Sequence, residues 1–166
     1  MSYFDFVICS AGVLLTFVGC TRYQELEEKF PLIFPNYVRC NVVKVIDGDK
    51  FDCQLTNVQI ERIKMIGVQI PGSFKESADR FTRSELYRGL SVRLEPDQLT
   101  TDGVNLLAYV YLPGGQMINS LLIEEGYAEY SGESPNLRYD KYFSKLESEA
   151  KEKGKGLWRE NKEINK

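Results

Sequence analysis

Histidine is absent from the 166 residues. That gap alone excludes Ser-His-Asp and Cys-His nucleophilic catalysis, imidazole acid/base chemistry and His-ligated zinc. Carboxylate, lysine, arginine, tyrosine and hard-cation chemistry remain. A basic excess is also missing, since 21 Lys and Arg stand against 24 Asp and Glu for a formal net charge of −3. The molecule therefore lacks the field that drives tight, sequence-independent binding to a phosphate backbone, and any nucleic-acid contact must be local or metal-assisted. The first apolar run, Phe6 to Gly19, has about 14 residues, short of the roughly 20 that cross a bilayer as a helix. What the chain does have is core material: it is 43% hydrophobic, with 10 Tyr and 9 Phe, so it folds. Its length fits one ordinary domain and excludes a second large one.

The N-terminal run reads as a signal-peptide core, because a buried helix of a cytosolic protein would show a polar face and this run shows almost none. Phe17 to Cys20 (FVGC) resembles a bacterial lipobox, which makes Cys20 the expected lipidation site and residues 1–20 a signal peptide or lipoprotein anchor. Against the usual pattern, Phe17 stands where Leu is common, and MSYFD carries Asp5 and no Lys or Arg. The expected location is exported, as a membrane-anchored lipoprotein or secreted; the alternative is cytoplasmic. Residues 21–37, with Pro31 and Pro35, read as a linker, and residues 161–166 as a polar tail. Cysteine is scarce, and only Cys40 and Cys53 fall in the folded part. On adjacent hairpin strands they could pair in an oxidising compartment. Alternation also turns Cys53 inward beside Phe51, which favours an unpaired core thiol there and leaves Cys40 unplaced.

From residue 38 the patterning is regular. Val42 to Ile46 is β-rich and meets the turn signal Asp47-Gly48-Asp49, after which Phe51, Cys53 and Leu55 alternate with Lys50, Asp52 and Gln54. After a turn at Thr56-Asn57, Val58 to Val68 reads as a third strand, Leu90 to Leu94 as a fourth and Leu106 to Tyr111 as a fifth. Helices are expected at Phe74–Arg88, Ile118–Glu125 and Tyr139–Lys153, the last stopped by Gly154. Five strands and three helices suit an α+β fold: a closed antiparallel barrel of the OB type, with the helices on its flank.

VIDGDKFDCQL, IKMIGVQIPG, NLLAYVYLPGGQMINSLLIEEGYAEY and FSKLESEAKEKGKGLWRE, in this order, resemble the staphylococcal nuclease (thermonuclease-like) family over about residues 38–160. The resemblance implies a five-stranded OB barrel and a Ca2+-dependent endonuclease centre. In that centre a hard cation and arginines meet the charge developing on phosphorus, and a carboxylate base orients water. It places the metal carboxylates at Asp49, with Asp47, and at Gln69, the base at Gly72, and the two arginines at Lys64 and Asn105. Only Asp47 and Asp49 retain the family's residue type, so Ca2+ binding is expected to be weak. A lysine does not reproduce the bidentate fork of arginine on a phosphate.

Asp47 and Asp49 fit a residual metal site and equally an ordinary tight turn. Arg62 and Lys64 share a strand face and could hold a phosphate or simply face solvent. Lys75, Arg80, Arg83 and Arg88 alternate with Glu76, Asp79 and Glu85 as a charged helix surface. Tyr109 and Tyr111 read as barrel wall, and Trp158 as packing against the end of the last helix. The expectation is a binding module for single-stranded DNA or RNA, a nucleotide or another envelope protein, touching membrane only through its N-terminal segment. The alternative is an active metal-dependent nuclease with relocated groups, with Glu61 or Glu76 as substitute base.

Overall fold

The computed structural model describes residues 37–55, 59–132 and 135–159. The segments 1–20 and 161–166, most of 21–37, Cys20 and the Thr56-Asn57 turn lie outside the described residues. Tyr37, the last residue of the stretch read as linker, packs edge-on against Tyr111 with ring centroids 5.6 Å apart.

Strand β1 (Val38–Asp47) is long, and its inward residues Cys40, Val42 and Val45 do not follow one strict period of two. Register shifts between Val42 and Lys44 and between Val45 and Asp47 bend the strand. It thereby pairs with β2 (Lys50–Gln54) along one stretch and with β5 (Ser91–Glu95) along another. With β3 (Ile60–Met65) and β6 (Leu106–Tyr111) the barrel closes in the order β1-β2-β3-β6-β5. The expected antiparallel barrel is corrected at one seam, where β3 and β6 run parallel. Parallel neighbours need a long crossover, and α1 (Lys75–Glu85) with β5 lies between these two in sequence.

The third strand is also shorter than expected. It stops at Met65, turns through Ile66-Gly67, and Val68–Gln69 becomes β4, which pairs with β7 (Glu129–Tyr130) in a separate two-stranded sheet. Gly67 makes the break, with φ of +75° and a hypothetical Cβ only 2.9 Å from the Phe143 ring. Beside the parallel seam the fully buried Asn119 of α2 (Ile118–Glu124) accepts from the Val110 N–H at 2.9 Å and donates to the Ile66 carbonyl at 2.9 Å. A buried amide thus serves backbone groups that the strand break leaves without ladder partners.

The third helix, α3 (Asp140–Lys153), lays Phe143, Leu146 and Ala150 inward and ends at Gly154 with φ of 65°. Tyr109 is buried between this helix and the barrel, its ring centroid 4.6 Å from that of Tyr139. Trp158 lies beneath Lys151, whose ammonium is 4.4 Å from the ring centroid. Cys40 and Cys53 are joined in a disulfide. Alternation does turn both inward, but the unpaired reading of Cys53 is overturned because β1 and β2 bring the two Cα atoms to 5.8 Å, within bonding range.

Candidate functional site

The candidate site gathers where the β1–β2 hairpin meets α1. Asp47 and Lys50 close a two-residue loop, and Gly48 is the residue that lets the helix approach: a Cβ there would lie 2.5 Å from Ile70 Cδ1 and 2.9 Å from Ala78 Cβ. Thr82, fully buried on α1, donates its hydroxyl to the Gly48 carbonyl at 2.6 Å, and Arg83 donates to the Val45 carbonyl at 2.9 Å. The charged helix surface expected from the sequence is therefore partly a docking face. Arg80 and Glu76 do form an exposed pair one turn apart, 3.1 Å, but Lys75 and Asp79 turn toward the hairpin.

Each carboxylate of the loop has a cationic partner. The Lys50 ammonium lies 3.0 Å from Asp49 Oδ1 and 3.7 Å from Asp47 Oδ2, and Lys75 donates to Asp47 Oδ2 at 3.2 Å. Asp79 adds a third carboxyl group close to Asp47, and its Oδ1 is buried with no hydrogen-bond partner among the described residues. Burial raises the Asp79 pKa, and the neighbouring Asp47 carboxylate raises it further. Burial alone would raise Asp47 as well, but hydrogen bonds from Lys75 and the Gly48 N–H outweigh it and hold that carboxyl below its ordinary value. The sequence alone places Asp79 on a charged helix surface; its position beside Ala78 and one turn before the buried Thr82 is what turns it toward the hairpin.

The remaining site residues do not join this cluster in one donor set. Gln69 is exposed on β4, opposite Glu129. Gly72 is exposed in a single 3-10 turn (Gly72–Phe74), and nothing lies within 4 Å of a Cβ built there. Arg62 is bound to Asp52 through Nε at 2.9 Å, which pulls the Asp52 pKa down. Asn105 belongs to its own loop: its side chain donates to Asp102 Oδ2 at 2.9 Å and its backbone N–H to Oδ1 at 2.7 Å. Those bonds depress the Asp102 pKa to about 2. Glu61 accepts from Gln59 at 2.9 Å, and Glu76 is engaged with Arg80.

Lys64 is half-buried on β3, directly opposite Lys50 in the register, and has no salt bridge among the described residues. It lines a cavity of about 30 Å3 together with Gly67, Leu107, Ser131 and Asn136. That volume suits a water-sized group and cannot enclose a base.

The Ca2+ ion implied by the resemblance needs a cage of six to eight oxygen donors. Here Asp47 and Asp49 are met by lysines, Gln69 is neutral, and no group of three or more Cys, Asp or Glu residues suited to a metal occurs among the described residues. These residues do not fit the ion.

A search of curated proteins finds no match to the chain. A family model described as staphylococcal nuclease homologue matches residues 55–160, more than half of the sequence, and spans the strand break, α1, the parallel seam and α3. The chain belongs to the staphylococcal nuclease homologue family.

Proposed function

We propose that this domain is a binding module on a nuclease barrel and has lost phosphodiester hydrolysis. The observation that carries this reading is Gly72: the position of the base has no side chain, and nothing occupies the 4 Å around its Cβ direction. Loss of a single preorganised donor already costs about 10²–10³ in turnover. Here the base, both arginine positions and one metal carboxylate are replaced, and Asn105 is held by Asp102.

The ligand is a single-stranded DNA or RNA lying across the surface at Lys64. A half-buried lysine without a salt bridge among the described residues supports contact with one phosphate, and the small cavity it lines argues against an enclosed free nucleotide. With a net charge of −3 the affinity is modest and salt-sensitive. Fluorescence anisotropy with labelled single strands, in chelator and over a salt series, tests this. Binding that falls with salt and weakens in Lys64→Ala supports it. If neither binding nor cleavage is seen, a protein partner in the envelope replaces the nucleic acid.

A second reading, an active metal-dependent nuclease with a rearranged site, is favoured by one observation: Asp79 places a carboxyl of raised pKa beside Asp47. Cleavage in a Ca2+, Mg2+ or Mn2+ series that is abolished by Asp49→Ala and by Asp79→Asn would establish it. The proposed location is the cell envelope, by lipidation at Cys20. The Cys40–Cys53 disulfide supports an oxidising compartment. Unchanged membrane fractionation of Cys20→Ser would refute lipidation there.

A further inference from the structure

Two carboxylates separated by one glycine, Asp47 at the end of β1 and Asp49 in the two-residue loop, repel each other, and something positive must lie between or beside them. A divalent ion is the usual solution in a hard-donor site. In this chain the first residue of β2 supplies the charge: the Lys50 ammonium reaches Asp49 Oδ1 at 3.0 Å and Asp47 Oδ2 at 3.7 Å. Lys75, from α1, meets the same Asp47 oxygen at 3.2 Å. We infer that Lys50 acts as a built-in cation, taking the position between Asp47 and Asp49 that a metal would occupy, so that this loop is closed without any metal ion.

Three features make the substitution effective. The ammonium is tethered to the loop it neutralises, so it acts at high effective concentration and gives up no translational freedom on binding. Its side chain is only 30% exposed, so the charge is held within reach of both aspartates rather than free in solvent. Lys64 faces Lys50 across the β2–β3 register, so an arriving divalent ion would meet a second ammonium group from the barrel wall. A metal could enter only by displacing Lys50 and leaving that charge close by. The inference does not depend on whether the domain binds nucleic acid.

The test is metal binding by the full chain after treatment with chelator, by calorimetry with Ca2+ and by Tb3+ luminescence. The wild type is expected to show no stoichiometric site at millimolar Ca2+, and neither Ca2+ nor chelator should move its melting temperature. Lys50→Ala and Lys50→Met should melt lower in chelator, recover in Ca2+, and bind the ion about tenfold or more tightly than the wild type. Lys50→Arg should stay indifferent to metal, and Asp49→Asn placed on Lys50→Ala should remove the gain. If Lys50→Ala is unfolded in chelator, Ca2+ should refold it. Wild type binding Ca2+ as tightly as these variants, or variants that neither gain affinity nor recover with Ca2+, would overturn the inference.

Discussion

The buried hydroxyl of Thr82 donates to the carbonyl of Gly48 at 2.6 Å, fastening α1 to the loop that carries Asp47 and Asp49. Thr82→Val keeps the shape and removes the donor, leaving a buried carbonyl unsatisfied. The expected loss is about 1–3 kcal/mol in urea denaturation, with Thr82→Ser closer to wild type because it keeps the hydrogen bond. Equal stability for Thr82→Val and wild type would show that the bond does not hold the loop.

Gly48 and Gly72 should respond very differently to the same methyl group. At Gly48 the new Cβ meets Ile70 Cδ1 at 2.5 Å and the Ala78 backbone carbon at 3.1 Å, so Gly48→Ala must push the helix away or bend the turn. Overpacking of this kind costs about 1–3 kcal/mol. At Gly72 the Cβ points into open space, so Gly72→Ala is expected within about 0.5 kcal/mol of wild type. Thermal melts of the two variants side by side settle both expectations.

Gly72→Glu should therefore fold normally, yet on its own it should not bring back hydrolysis. A base without charge-stabilising donors or a metal has nothing to act with. Adding Lys64→Arg, Gln69→Asp and Asn105→Arg, with Lys50→Ala to clear the loop, is expected to yield Ca2+-dependent cleavage of single-stranded DNA at least about 10²-fold faster than Gly72→Glu alone. Robust cleavage by the wild type under the same conditions would contradict the proposed loss of hydrolysis.

How much of this was legible in the sequence depended on whether the signal was local. Alternation gave the β1–β2 hairpin and the inward faces of Phe51 and Cys53, and helical spacing gave three helices close to their observed bounds, because both patterns lie within one element. The strand break at Gly67 leaves no local mark: Val58 to Val68 reads as one strand, and what crowds Gly67 is Phe143, contributed by a distant helix. The parallel seam was missed for the same reason, since pairing partners remote in sequence leave no local mark. At the site, the resemblance pointed to Asp47 and Asp49, which the fold places together on the β1–β2 loop, and to Gly72, which lies apart from them in an exposed turn. Lys50 meets both carboxylates from within the hairpin, whereas Lys75 and Asp79 beside Asp47 came only from the docking of α1 on it. The disulfide needed the register between β1 and β2.

That disulfide closes a loop spanning a sequence separation of 13 residues. In the chain-entropy account a loop of this size contributes about 3 kcal/mol by restricting the unfolded state. A Cys40→Ala, Cys53→Ala double variant, or the wild type in strong reductant, should lose about 2–3 kcal/mol. A digest without reductant should yield the peptides of Cys40 and Cys53 as one cross-linked species. Finding both thiols free in protein taken from its native compartment would contradict the proposed envelope location as well as the bond.

Asn105 offers a last test, because this position, where the resemblance implies an arginine, braces its own loop. Its side chain and backbone N–H groups hold the Asp102 carboxylate, lowering its pKa from 3.8 to about 2. The folded value lies below the unfolded one, so the associated stability is fully present above about 3.8 and is lost as the pH falls toward 2. In Asn105→Ala the side-chain bond is gone, so the Asp102 pKa should move up toward 3.8, and the fall in stability between pH 4 and 2 should become shallower. Carbon-detected NMR titration of the Asp102 carboxyl measures the shift directly. Because Asp102 is exposed, the stability change at neutral pH should be small, and single-strand binding at Lys64 should be unaffected. If Asn105→Ala weakened that binding as much as Lys64→Ala, Asn105 would be touching the ligand rather than bracing its own loop.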